Sequence, residues 1–160
     1  MEYKTNFFKK TITSMYDIKV FSKYAKEGIF RSISYAMLLT LILDGIKGIF
    51  KGDELSNFNL SNIMSKIIVN FGIDFLGLLF NCLIVVSVTL LFTMFMKMIV
   101  KYMALYSLTL YAATLPLIIK TVLEIVKPSI NFDTMFIIGT FTYVILVLKH
   151  IKDEIIRNIS

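Results

Sequence analysis

The sequence predicts an all-α integral membrane protein with four transmembrane helices, preceded by an amphipathic helix that lies at the membrane surface. Hydrophobic residues make up 57% of the 160 residues and charged residues only 18%, which is more apolar than a soluble domain of this size. The stretch from Phe75 to Met96 contains no charged residue, and about 20 apolar residues suffice to cross a bilayer. The alternative, a soluble four-helix bundle with unusually apolar helices, is disfavoured by this uncharged stretch.

The N-terminal segment, residues 1–28, is too rich in lysine to cross a membrane. Phe8, Ile12, Met15 and Tyr16 recur at helical spacing, with lysines on much of the remaining circumference. This pattern predicts an amphipathic helix in the headgroup region of the bilayer. A soluble helix packed on a partner protein is the alternative interpretation.

Lysines flank the predicted helices on one side of the membrane, where we expect them to contact anionic lipid. These residues are Lys4, Lys9, Lys10, Lys19, Lys23, Lys26, Lys97 and Lys101. Contact with anionic lipid also explains the net charge of +6. Nucleic acid is therefore not an expected partner.

The transmembrane domain is predicted over residues 29–148, with a cytoplasmic tail at 149–160. Its four spans are expected at about 29–49, 73–96, 103–126 and 133–148. The first and last spans are short for a bilayer and would need local thinning or help from neighbouring helices.

Pro116 lies inside the third predicted span. Proline has no N–H, so the carbonyl of Ala112 loses its usual helical donor and a bend is expected there. The hydroxyl of Thr114, or a water molecule, could compensate for the lost hydrogen bond.

The distribution of lysine and arginine predicts the orientation of the four spans. The N-terminal segment, the turn after the second span and the C-terminal tail are basic, whereas the other connections mix lysine with acidic residues. Cytoplasmic segments carry the excess of basic residues, so both termini are predicted to be cytoplasmic. The abundance of Ile, Lys, Asn and Phe is typical of AT-rich bacterial genomes, which points to a bacterial plasma membrane.

Five charged residues fall toward the outer ends of the predicted spans: Asp44, Lys47, Asp74, Lys120 and Glu124. They could form a polar network in which Asp44 or Asp74 pairs with Lys120, and Glu124 pairs with Lys47. The alternative is that each side chain reaches the membrane surface independently.

The chain carries no recognisable catalytic motif, and no cofactor is expected. With one cysteine, Cys82, and one histidine, His150, an internal disulfide or a site built on several of these residues is excluded. We therefore expect no enzyme. The favoured hypothesis is an accessory or assembly protein that binds other membrane proteins, lipid or copies of itself. The alternative is a subunit of an oligomeric channel or transporter with a polar site at the outer face.

Two stretches resemble a family of bacterial membrane proteins catalogued as domain of unknown function 1189. The first is FFKKTITSMYDIKVFSKYAKEGIFRSISYAMLLTLIL, and the second, YSLTLYAATLPLIIKTVLEIV, also resembles the related Yip-type membrane proteins. The resemblance implies a basic helix before the first span and a partly polar third span. It implies no activity and brings no catalytic residues.

Overall fold

Helices joined by short turns make up the residues that the computed structural model of the protein describes, which are 6–24, 27–50 and 60–159. The prediction of an all-α fold is confirmed, since these residues include no strand. The elements are α1 (Phe7–Tyr16), a short 3-10 turn (Ile18–Val20), α2 (Phe21–Tyr24), α3 (Ile29–Phe50), α4 (Leu60–Phe95), α5 (Tyr102–Ala112), α6 (Thr114–Val126) and α7 (Asp133–Ile159).

Three of the described helices are long and apolar enough to cross a membrane. They cover Ile29–Phe50, Ile68–Phe95 and Asp133–Arg157. Helices α5 and α6 pass the same test only as a pair, and they are bent by 41° at the break between them. The described chain therefore has three candidate spans, or four if the bent pair is one span, as is compatible with a multi-pass membrane protein.

The helix boundaries differ from the predicted spans mainly at two ends. Helix α4 begins at Leu60, well before the predicted residue 73, and α7 continues through the predicted tail to Ile159. No proline interrupts either segment, so the apolar helix extends into the neighbouring amphipathic stretch without a break.

The bend in the third apolar segment falls at Ala113, one turn before Pro116. Because Pro116 lacks an N–H, the carbonyl of Ala112 has no helical donor, and the helix divides at this point. Pro116 then lies in the first turn of α6, where proline is tolerated. The hydroxyl of Thr114 donates to the carbonyl of Tyr111 at 2.7 Å, which supports the chain at the break.

Many hydroxyl groups lie inside the helical bundle, whereas large apolar side chains cover its surface. Thr40, Thr89 and Thr109 are fully or almost fully buried, and each donates to the carbonyl four residues earlier in its own helix. Leu76 and Phe80 of α4 are instead about two-thirds exposed, at 66% and 64%. This arrangement suits a protein whose solvent is lipid.

Helix α1 buries polar side chains against the bundle and exposes several large apolar ones, which is the reverse of the pattern in a soluble helix. Lys10 and Ser14 are buried against the bundle, while Phe8, Ile12 and Tyr16 are exposed. The helix packs on α5 and α6, and the following 3-10 turn packs on α7. Phe8, Ile12 and Tyr16 therefore point away from the protein, whereas Phe7 packs against its core.

Candidate functional site

A charged cavity lies where the end of α3, the first part of the α4 span, the end of α6 and the start of α7 come together. Its volume is about 310 Å³. The cavity residues come from the end of α3, from the middle of α4, from α6 and from the start of α7 with the connection before it. The lining residues are Thr40, Leu43, Asp44, Lys47, Ile73, Asp74, Gly77, Leu78, Asn81, Leu117, Lys120, Thr121, Glu124, Asn131, Asp133 and Phe136.

Lys47 links three helices at the centre of the charged cavity. Its Nζ lies 2.7 Å from Glu124 Oε2 of α6, 2.9 Å from Asp74 Oδ2 of α4 and 3.6 Å from Asp44 Oδ1 of α3 itself. The lysine side chain is only 16% exposed. A single ammonium group thus lies among carboxylates from three helices, at hydrogen-bond distance from Glu124 and Asp74 and slightly farther from Asp44.

Lys120 extends the network toward α7. Its ammonium donates to Asp133 and lies 3.5 Å from Glu124 Oε1. It also lies 5.8 Å from the centre of the Phe136 ring, within the range of a cation–π contact. Glu124 contacts both lysines through its two oxygens, so the ion pairs form one continuous network from α3 to α7.

The structure brings all five charged residues singled out in the sequence to the same cavity. It places Glu124 beside Lys47, as predicted. Lys120 lies beside Asp133 instead of Asp44 or Asp74. The position of Asp133 at the start of a span, after a short connection from Lys120, was the signal for this pair.

Asp44 is the most deeply placed carboxylate of the cavity. The residue is 7% exposed, and its Oδ2 has no hydrogen-bond partner among the described residues. A buried polar atom without a partner costs free energy. The cavity therefore contains an acceptor that no described protein group satisfies.

A second polar cluster, the Lys10 cluster, joins α1 to the opposite half of the bundle. It consists of Lys10, Glu27, Tyr24, Tyr35 and Tyr111. The Lys10 ammonium lies 2.5 Å from Glu27 Oε2 and 5.5 and 5.4 Å from the rings of Tyr24 and Tyr111. The hydroxyl of Tyr111 donates to the same glutamate oxygen at 2.7 Å. Sequence spacing gave no signal for this cluster, because its members come from distant segments.

Comparison with known proteins places the chain in a family. The model of the family described as "Protein of unknown function (DUF1189)" matches residues 56–148, which is more than half of the chain. The chain belongs to the DUF1189 family. Neither a curated protein nor a solved structure matched the chain.

The DUF1189 match covers α4, α5, α6 and most of α7. It includes the stretch YSLTLYAATLPLIIKTVLEIV, whereas the opening stretch that begins with Phe7 lies before it. Of the six charged residues of the cavity, Asp74, Lys120, Glu124 and Asp133 are inside the match. The finding concerns this family alone and does not extend to the Yip-type membrane proteins.

The basic residues expected to contact lipid occupy two kinds of position in the DUF1189 chain. The exposed ones are Lys9, Lys19, Lys23, Lys97 and Lys101. Lys10 differs, since it is 6% exposed and its charge is paired with Glu27 inside the protein. Lys4 and Lys26 lie outside the described residues.

The described part of the DUF1189 chain contains no group of three or more His, Cys, Asp and Glu side chains arranged to hold a metal ion. Cys82 is completely buried in α4, packed among apolar side chains of the core. The chemistry that the charged cavity offers is therefore recognition by carboxylates, ammonium groups, amides and hydroxyls.

Proposed function

We propose that this DUF1189 chain is a multi-pass protein of the bacterial plasma membrane and a ligand-binding subunit of an oligomeric channel or transporter. The charged cavity is the observation that carries the proposal. Charged side chains within membrane spans are costly, and they usually face a water-filled cavity or a substrate route. Six of them converge here around a volume of about 310 Å³.

In the proposed topology the chain crosses four times, with the bent pair α5–α6 as the third span. Exposed Lys97 and Lys101 lie between α4 and α5, and exposed Lys149 lies in the second half of α7, away from the charged cavity at its start. The positive-inside rule places these lysines in the cytoplasm. Both termini are then cytoplasmic, and the charged cavity opens to the outside.

Helix α1 is proposed to lie in the cytoplasmic headgroup region. Its exposed side chains Phe8, Ile12 and Tyr16 would enter the acyl boundary, and exposed Lys9 would face anionic lipid. A helix with apolar residues directed outward and lysines beside them suits the surface of a membrane.

The proposal is tested by cysteine labelling from outside the cell. Cys82 is first replaced by alanine, and a single cysteine is then introduced at Asn81 or at Leu83. Asn81 lines the charged cavity, whereas Leu83, two residues away, is 44% exposed on the apolar surface. The reagent is a positively charged, membrane-impermeant methanethiosulfonate.

We expect Asn81→Cys to be modified in intact cells and Leu83→Cys to be protected, because a thiol in hydrocarbon has neither water nor reagent beside it. The two positions lie at nearly the same depth, so depth alone cannot produce the difference. Protection of both cysteines, or equal modification of both, would contradict a water-filled cavity at this end.

A second candidate function is an accessory or assembly protein without catalysis of its own. It is favoured by the small share of each span that the chain itself covers, since only 33%, 28% and 28% of the three candidate span windows are buried. Lipid or the helices of other membrane proteins must cover the rest. Crosslinking in the native membrane distinguishes the candidates, since a transport subunit is expected to link to copies of itself and an assembly protein to other proteins.

A further inference from the structure

We propose that the charged cavity binds a primary ammonium group, carried by a free small amine or by the ethanolamine headgroup of a lipid. This inference rests on the proposed function, because the ligand must reach the cavity. It adds the chemical class of the ligand and the residue that recognises it, Asp44.

The cavity holds more negative than positive charge. Its lining includes four carboxylates and two lysines among the described residues, which gives a formal charge of −2. Asp44 and Glu124 are largely buried, at 7% and 22% exposure, whereas Asp74 and Asp133 are partly exposed. A buried charge without a partner is unfavourable, and a positively charged ligand beside Asp44 would offset it. The imbalance therefore selects a cation over a neutral or anionic ligand.

Asp44 provides the free acceptor for such a cation. Its Oδ1 lies 3.6 Å from the Lys47 ammonium, but its Oδ2 is buried and has no hydrogen-bond partner among the described residues. Asp44 is 7% exposed and lines the cavity. An entering N–H donor would satisfy this oxygen with a charge-assisted hydrogen bond.

The cavity already shows how it holds an ammonium group, since Lys47 Nζ sits among three carboxylates. A ligand with the same head group would meet the same chemistry at Asp44. A divalent metal ion would need about six or more converging oxygen ligands, and no such group of acidic side chains occurs in the described residues.

The size of the cavity indicates an organic cation. A volume of 310 Å³ corresponds to roughly ten water molecules at about 30 Å³ each. A bare inorganic cation would leave most of that space to water. The lining amides of Asn81 and Asn131 and the hydroxyl of Thr121 offer hydrogen bonds to the remainder of a small polar amine.

The first test measures binding of ethanolamine hydrochloride to the purified full chain in mild detergent, by isothermal titration calorimetry and thermal unfolding at constant ionic strength. Tetramethylammonium chloride is the matched ligand, because it carries the same charge and has no N–H donor. Sodium and potassium chloride test inorganic cations. A parallel arm compares unfolding in nanodiscs of phosphatidylethanolamine and phosphatidylcholine, which separates a lipid headgroup from a free amine.

Two variants identify the site. We expect Asp44→Asn, which preserves shape, to weaken binding by about tenfold or more, as loss of a hydrogen bond to a charged group does. Asp74→Asn also lowers the negative charge of the cavity, and we expect it to weaken amine binding as well. Asp153→Asn, on the exposed continuation of α7, is the control and should leave binding unchanged.

Stabilisation by free ethanolamine, or by phosphatidylethanolamine alone, supports the inference if Asp44→Asn removes it. The inference would be overturned if tetramethylammonium bound as well as ethanolamine, or if sodium or potassium bound and ethanolamine did not. It would also be overturned if Asp44→Asn left binding intact, or if no amine bound. If Asn81→Cys is modified from outside but no amine binds, only the ligand assignment fails. If Asn81→Cys is protected, the proposed function fails with it.

Discussion

The ammonium of Lys10 lies 2.5 Å from Glu27 Oε2, with both side chains largely buried at 8% and 14% exposure. This pair fixes α1 to the segment before α3, and Tyr111 of α5 completes it through its own hydrogen bond to the glutamate. A buried ion pair thereby anchors α1 to the bundle, in addition to the contact of the Phe7 ring with Tyr35.

Loss of the Lys10 ammonium should destabilise the protein markedly. Lys10→Met leaves Glu27 buried with only the Tyr111 hydroxyl as a partner, and breaking a buried ion pair costs about 3–5 kcal/mol. Neighbouring Lys9 is exposed, so Lys9→Met should change stability by less than about 0.5 kcal/mol. Thermal unfolding in detergent measures both variants.

The double variant Lys10→Met with Glu27→Gln should be less destabilised than Lys10→Met alone, because no uncompensated charge remains. If the double variant were as unstable as the single one, or if Lys9→Met behaved like Lys10→Met, the pair would not be what anchors α1.

Two neighbouring residues of the charged cavity should respond to neutralisation in opposite directions. Lys47→Met leaves three carboxylates without their shared ammonium, and we expect a loss of about 3–5 kcal/mol. Asp44→Asn removes part of the negative excess and should leave the unfolding temperature unchanged or raise it. The comparison is made in detergent without added amine, and destabilisation by both variants would contradict this account of the charge balance.

Helices α6 and α7 approach closely at Gly139. A Cβ atom built there would lie 3.6 Å from Cβ and Cγ of Pro116, which is ordinary contact. Gly139→Ala should therefore be tolerated and gain up to about 1 kcal/mol from helix propensity. Gly139→Leu should cost about 1–3 kcal/mol through overpacking.

Gly45→Leu in α3 is the control for the Gly139 variants, since a Cβ at Gly45 meets nothing within 4 Å. Chemical or thermal unfolding in detergent reports all three. Equal effects of leucine at Gly139 and Gly45 would show that the contact between α7 and Pro116 of α6 does not limit side-chain size.

The proposed topology predicts labelling from opposite sides of the membrane at two exposed positions. In a chain with Cys82→Ala, a cysteine at Ser129 should react with an impermeant maleimide in intact cells, whereas one at Lys97 should react only after permeabilisation. Both native residues are exposed, so access to the thiol is not limited by folding. The reverse labelling pattern would show that the topology is opposite to the proposed one and that the charged cavity faces the cytoplasm.

The elements of the fold were largely predictable because they depend on local pattern. The uncharged stretch from Phe75 to Met96 predicted a helix there regardless of its neighbours, and α3 matches its predicted range closely. The bend expected where the carbonyl of Ala112 loses its donor is confirmed by the break at Ala113, because a missing N–H at Pro116 acts one turn before the proline. Apolar residues from Leu60 to Ile68 recur at helical spacing, which indicates a turn or two of amphipathic helix before the span. The structure joins this stretch to the span as one continuous helix, α4.

The residues of the charged cavity were predictable as a group but not as partners. Position along each span indicated that Asp44, Lys47, Asp74, Lys120 and Glu124 share one end of the bundle. The rotation of each helix about its axis decides which side chains meet, and this depends on packing between helices. The contact of Lys120 with Asp133 and the unpartnered oxygen of Asp44 are consequences of that packing.

Taken alone, the amino-acid sequence determined that the chain is helical, apolar and asymmetric in its basic residues, because helix periodicity, hydropathy and charge are properties of short segments. Only the tertiary structure decided that Lys10 points inward to Glu27 and that Lys47 gathers three carboxylates around a cavity. These contacts join residues far apart in the chain, and their geometry exists only when the helices have packed.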